Sequence, residues 1–278
     1  MTILVFTVVV AIASLVAGFL GSLTGLGGGV VLVPLLTVFF HVDIRYAIGA
    51  SLVSVIATSS GAAAAYVKEG FSNIRIAMFL EIATTLGALC GAFLATWIST
   101  NVLAIIFGFM LLYSAFLSRK PRTDAQRSLP PDPLATRLRL NGTFPDLGRK
   151  RSYNVQHVPA GFGLMYGAGA LSGMLGIGSG AVKVLAMDQA MQIPFKVSTT
   201  TSNFMIGVTA AASAGVYLSR GYVDPGLSMP VMLGVLVGSM LGSRILIKAE
   251  TKSLRIIFSA VILVLGLQML YKGFWGKI

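Results

Sequence analysis

Charged side chains are scarce in this chain. They make up 11% of its 278 residues, where soluble domains carry roughly 25%. That is too little polar surface to cover a particle in water. The single cysteine, Cys90, excludes an intrachain disulfide. The two histidines, His41 and His157, have no His, Cys or carboxylate partners at metal-binding spacing, and the sequence holds no nucleophile elbow and no phosphate-binding loop. No metal, cofactor or catalytic residue is therefore expected, and the chain does not read as an enzyme. Its start, Met1-Thr2-Ile3-Leu4, lacks the basic region and cleavage site of a signal peptide, so the first apolar run reads as a retained helix.

What the chain has is hydrophobic length. Apolar residues make up 55% of it. Apolar runs fall at 2–20, 29–40, 46–67, 75–97 and 101–118, then at 158–174, 180–192, 196–218, 226–248 and 254–273. Most are near the 20 residues that span a bilayer, which makes this an all-α integral membrane protein. Runs 29–40 and 180–192 are shorter, and either crosses the membrane or dips in and returns.

The net charge of +12 is concentrated in one place. Residues 119–157 hold nine Lys and Arg against three Asp, and five of the ten prolines. A basic inter-helix loop follows the positive-inside rule without any nucleic-acid partner. It is expected to be a flexible cytoplasmic linker beside anionic lipid headgroups. It separates a first membrane repeat, 1–118, from a second, 158–278.

The two halves match without a gap at an offset of 151 residues. Gly25-Leu26-Gly27-Gly28-Gly29 answers to Gly176-Ile177-Gly178-Ser179-Gly180. Ser51 answers to Ser202, Thr58 to Thr209 and Tyr66 to Tyr217, while Gly87 and Gly91 answer to Gly238 and Gly242. Five segments per half is an odd number, so the second copy re-enters from the opposite face and the repeats are inverted. Loop charge agrees, because the tip at 98–101 has no Lys or Arg whereas its counterpart has Lys252. Arg45, Lys272 and Lys277 run against that topology.

Glycine at this density breaks a helix, and lipid tolerates a broken helix only inside protein or beside a wet cavity. Each restarted helix presents unpaired amides and a partial positive charge, which suits an anion. The expected anion site near the midplane therefore includes the amides of Gly27, Gly28, Gly29, Gly178, Ser179 and Gly180. Gly87, Gly91, Gly238 and Gly242, spaced by four, read instead as helix packing. Gly176–Ala181 also fits the dinucleotide pattern, but its flanks are membrane runs rather than a strand and a soluble helix.

Lys183 breaks the duplication, because its mate is Leu32. An ionisable group in such a run costs on the order of 3 kcal/mol if it faces lipid, so it is expected to face inward. It then binds an anion, pairs with Asp188 or Glu81, or snorkels to the cytoplasmic face. Glu81 reads as a proton-coupling candidate, a partner of Lys183 or an interfacial residue near Arg75. Ser51, Ser202 and Asn203 are expected in the cavity, whereas Ser59, Ser60 and Thr209 read as helix contacts. Tyr66, Tyr217 and Trp97 read as interface anchors.

Gly25-x-Gly27-Gly28-Gly29-x-x-x-Val33-Pro34, followed by Ala47-x-Gly49-x-Ser51-Leu52, resembles the sulfite exporter TauE/SafE family, the TSUP transporters. The second copy is similar, with Gly176-x-Gly178-Ser179-Gly180 and Ser198-x-Thr200-Thr201-Ser202. It departs at Leu185, Ser198 and Lys183. The resemblance implies secondary transport of small sulfur-containing or organic anions across the inner membrane by alternating access, with protons as a candidate coupling ion. A passive anion channel is the alternative. The anion and the oligomeric state, a homo-oligomer included, stay open.

Overall fold

The computed structural model describes residues 3–22, 28–68, 72–119, 132–146, 149–246 and 251–275. The apolar runs become helices almost end for end. They are α1 (Ile3–Ser22), α2 (Gly29–Phe39), α3 (Ile44–Lys68), α4 (Ile74–Trp97) and α5 (Thr100–Arg119). A short helix α6 (Pro133–Arg137) and a hairpin of β1 (Gly142–Asp146) and β2 (Arg149–Tyr153) follow. The chain continues with α7 (Val158–Leu175), α8 (Gly180–Leu185), a π turn at Ala186–Ala190, α9 (Phe195–Ser219), α10 (Pro225–Leu246) and α11 (Thr251–Trp275).

The helices present large apolar side chains outward and small ones inward. On α4, Met78, Ile82, Leu86, Phe93 and Trp97 are exposed at helical spacing. Its opposite face buries Ala77, Ala83, Ala88, Ala92 and Ala95. Water would not tolerate that outer face, and a bilayer requires it. Among the described residues, α4 and α7 pass a combined length and apolarity test for crossing a membrane. α2 has only 11 residues and rises about 16 Å, roughly half the hydrocarbon thickness.

The packing pairs helices across the two halves. α1 lies on α10 and α4 on α7, while α3 lies on α9 and α5 on α11. α4 also meets α9, and α10 also meets α3. Small residues permit the close crossings. A methyl group at Gly87 or Gly91 would collide with the backbone of Tyr166 or Ala170 on α7. One at Gly169 or Gly173 would strike Thr84 or Ala88 on α4 in return. Gly18, Gly234 and Gly238 play the same part between α1 and α10.

The linker departs from the expectation of a flexible loop. Residues 132–146 and 149–157 are folded, and Leu140, Phe144, Tyr153 and Val155 are buried with Ile76, Leu80 and Met187. Asn73 fastens this unit. Its side chain accepts from Ile76 N (3.2 Å) and donates to Tyr153 Oη (2.7 Å) and to Leu140 O (3.2 Å). Its backbone N–H donates to Thr201 Oγ1 on α9 (3.1 Å). Burial pushes the Tyr153 phenol up to about 12, so it bonds as a neutral group. Composition concealed this unit, because a few apolar residues suffice once a membrane helix supplies the other wall.

Arg45 and Lys272, which ran against the charge rule, each cap a helix end. Arg45 donates to Ile98 O at the end of α4 (2.9 Å), and Lys272 to Thr37 O and Val38 O at the end of α2 (3.3 and 3.1 Å). Cations at helix C-termini are favourable on any side of a membrane. Gly91→Leu is expected to destabilise the α4–α7 crossing by about 3 kcal/mol or more. Thermal unfolding in detergent will show this as a lowered midpoint, whereas Gly163→Leu, where no atom lies near, should leave the midpoint unmoved.

Candidate functional site

The second glycine segment turns sharply between two helices. Gly176 (φ 67°), Gly178 (φ 67°) and Ser179 (φ 43°) are all left-handed. For a serine this costs on the order of 1 kcal/mol. α7 therefore ends at Leu175, and α8 restarts at Gly180. Added side-chain atoms would meet Ile48 of α3 at Gly176, and Ile206 of α9 and Val55 of α3 at Gly178. The segment thus lies between α3 and α9.

The other glycine segment meets it. Of its glycines, Gly25 and Gly27 lie outside the described residues. Gly28 is right-handed (φ −63°), unlike its mate Ser179, and precedes α2. A Cβ on Gly29 would fall 2.8 Å from Gly176 O and 3.3 Å from Ile177 Cα. The start of α2 therefore abuts the second turn. Ser51 on α3 donates to Gly176 O (2.8 Å), and Ser202 on α9 donates to Gly180 O (3.3 Å). Both hydroxyls are spent on fastening the segment in this conformation. Asn203 is half-buried. Ser179 Oγ is buried with no hydrogen-bond partner.

Lys183 lies one turn beyond Ser179 on α8 and is fully buried (0% exposed). Its ammonium donates to Thr209 Oγ1 on α9 (2.5 Å), and Thr209 donates to Glu81 Oε1 on α4 (2.7 Å). Thr85 donates to the same Oε1 (3.2 Å). Glu81 is 8% exposed, and its Oε2 is buried with no partner. Lysine and carboxylate are thus joined through one hydroxyl. Glu81 is not an interfacial residue beside Arg75, and Thr209 is not only a helix contact. Asp188 lies half-buried in the π turn.

The duplicated scaffold provides an internal comparison. At the offset of 151 residues, Lys183 answers to Leu32, Glu81 to Met232 and Thr209 to Thr58. Leu32 is buried in an apolar cluster, and Thr58 bonds only the carbonyls of Ser54 and Val55 on its own helix. The residues matched to the charged pair are thus apolar, Leu32 in the first half and Met232 in the second. Buried ion pairs are rarely better than apolar residues of similar size, so packing alone does not explain this one.

A profile of the sulfite exporter TauE/SafE family matches residues 10–269. The chain belongs to the sulfite exporter TauE/SafE family. It is 29% identical to the probable membrane transporter protein YunE of Bacillus subtilis (strain 168) over 277 residues, covering 97% of this chain and 99% of that one. It is 28% identical to the probable membrane transporter protein MJ0441 of Methanocaldococcus jannaschii over 273 residues, covering 93% of each. No solved structure matches it. Family membership makes this TauE/SafE protein a membrane transporter, and the outward apolar faces agree.

Tyr217 is a further correction. It is fully buried rather than anchored at an interface, and its hydroxyl donates to Met174 O beside the second turn (3.2 Å). Trp97 is exposed at the end of α4, and the side chain of Tyr66 lies outside the described residues. Thr209 and Thr85 were the partners that sequence reasoning missed. The Met232 mate of Glu81 was the signal available. Lys183→Leu alone is expected to lower stability by about 3 kcal/mol, because it strands a buried carboxylate. The double variant Lys183→Leu/Glu81→Met, which gives each position the residue type of its repeat mate, should recover most of that loss in a thermal melt.

Proposed function

We propose that this protein is a secondary transporter of small sulfur-containing or organic anions, working by alternating access in the inner membrane. The observation that carries the reading is the sealed ammonium of Lys183 on α8, a helical turn in sequence after the unpartnered Ser179 hydroxyl at a helix break. An anion there finds one full charge and a free donor. Backbone amides of Gly178–Gly180 and of Gly27–Gly29 add donors from both halves, and Asn203 adds a neutral one. Ser51 and Ser202 join if their glycine carbonyls are released when the site opens. Enclosure from water makes each such donor worth more than it is at a surface.

The architecture supports alternating access between two inverted repeats, 1–118 and 158–278, joined by the linker 119–157 on the cytoplasmic side. α3 and α9, and α4 and α10, start at the same offset of 151 residues. α2 is matched by α8 and its π turn over 180–190. Contacts are reciprocal, since α1 meets α10 as α7 meets α4. That reciprocity is the mark of a two-fold relation. Two equivalent halves around a shared midplane site give inward-open and outward-open states by rocking. The binding descriptions of sulfite export belong to the family name, and the particular anion is the part left to measurement.

A channel would share the anion-binding residues but not the kinetics. Purified protein in liposomes, screened with sulfite, thiosulfate, taurine, sulfoacetate and carboxylates, is expected to show saturable uptake and counterflow of at least one sulfur oxyanion. Lys183→Leu/Glu81→Met should fold and lose that uptake at least tenfold. Flux that never saturates and shows no counterflow would instead establish a channel. Undiminished uptake by the double variant would remove Lys183 from the site.

A further inference from the structure

We infer that Glu81 is the built-in occupant of the Lys183 ammonium, and that a proton on Glu81 exchanges it for the transported anion, making the protein an anion–proton symporter. This rests on the transport reading above and names its coupling residue.

The case begins with charge balance. Lys183 and Glu81 are both more than nine-tenths buried and meet only through Thr209. The pair is neutral overall. An anion drawn to Lys183 would leave the site with one net buried negative charge, which a low-dielectric interior does not tolerate. One proton on Glu81 restores neutrality. Thr209 then donates to a neutral carboxyl, its hold on Lys183 weakens, and the ammonium turns to the anion. Loss of that proton returns the carboxylate to its place and expels the anion. Empty and fully loaded sites are neutral, and the half-loaded ones are not. That difference ties the two fluxes together.

The proton goes to Oε2 of Glu81. Glu81 Oε1 accepts from Thr209 and Thr85, whereas Oε2 is buried and bonds nothing. A carboxylate held purely for structure would have both oxygens satisfied. Among the described residues of the helices packed on α4, no other buried charge competes. α7, packed against α4, carries no Asp, Glu, Lys or Arg, and α9 carries only Lys196, exposed at its first turn. Arg75 on α4 is exposed, and Cys90 and Tyr166, also titratable, lie on exposed faces of α4 and α7. Asp188 is half-buried in the π turn after α8. The positions matched by the repeat are apolar, Leu32 in the first half and Met232 in the second.

Two measurements test this. Infrared spectra of the purified protein at neutral pH are expected to show no carboxylic-acid band from Glu81 in the parent. In Lys183→Gln, which keeps a donor for Thr209 and removes only the charge, one such band should appear. It should vanish again in Lys183→Gln/Glu81→Gln. A Lys183→Gln protein whose Glu81 stays ionised would overturn the proposal. In liposomes, an inward proton gradient should concentrate methanesulfonate, a sulfonate with no titrating group near neutrality. Glu81→Gln, shown to be folded by its thermal melt, should lower that accumulation at least tenfold. Gradient-driven accumulation that survives in Glu81→Gln would also overturn it. Absence of any methanesulfonate flux in the parent would count against sulfonate transport, and the infrared comparison would then decide the role of Glu81 alone.

Discussion

One buried lysine sets the terms for the rest of this protein. An ammonium sealed from water must be neutralised nearby, and among the described residues it is linked to the Glu81 carboxylate through the Thr209 hydroxyl. That requirement brings α4, α8 and α9 to one point. The close crossing of α4 and α7, permitted by Gly87, Gly91, Gly169 and Gly173, sets the wall that carries Glu81. The left-handed turn at 176–179 sets the position of α8. A change of side-chain volume at the crossing, or of backbone at the turn, would therefore be felt at the pair.

The asymmetry of the pair matters as much as its burial. At the positions matched by the repeat the chain holds Leu32 and Met232, so only one of the two sets carries charge. The apolar set supports the idea that charge is a chemical addition and not a structural need. It also gives a direction to the site, because an anion would meet Lys183 from one half and glycine amides from both. The folded linker bears on the same helices. Asn73 ties the hairpin to the start of α4 and to Thr201 of α9, the two helices that carry Glu81 and Thr209.

Much of the fold was legible in the sequence, because lipid imposes few solutions. Long apolar runs had to be helices, and their limits fall close to the observed ones. Lys183 stood out because its mate is Leu32. Its environment was harder to read. Thr209 matches Thr58 in the repeat, so its identity carried no signal, and only the geometry shows it between two charges. Tyr217 looked like an anchor because aromatic residues near helix ends usually are, yet its hydroxyl is committed to Met174 O. The hairpin was hidden by a basic, proline-rich composition, since its few apolar residues complete their packing against α4 and the π turn.

The most direct test is a structure in a lipid nanodisc with a sulfonate bound. The account predicts the anion's oxygens on Lys183 Nζ and Ser179 Oγ, with the Lys183–Thr209 bond opened and the two glycine segments still in contact. An anion bound elsewhere, with Lys183 still joined to Thr209 and Glu81, would contradict it.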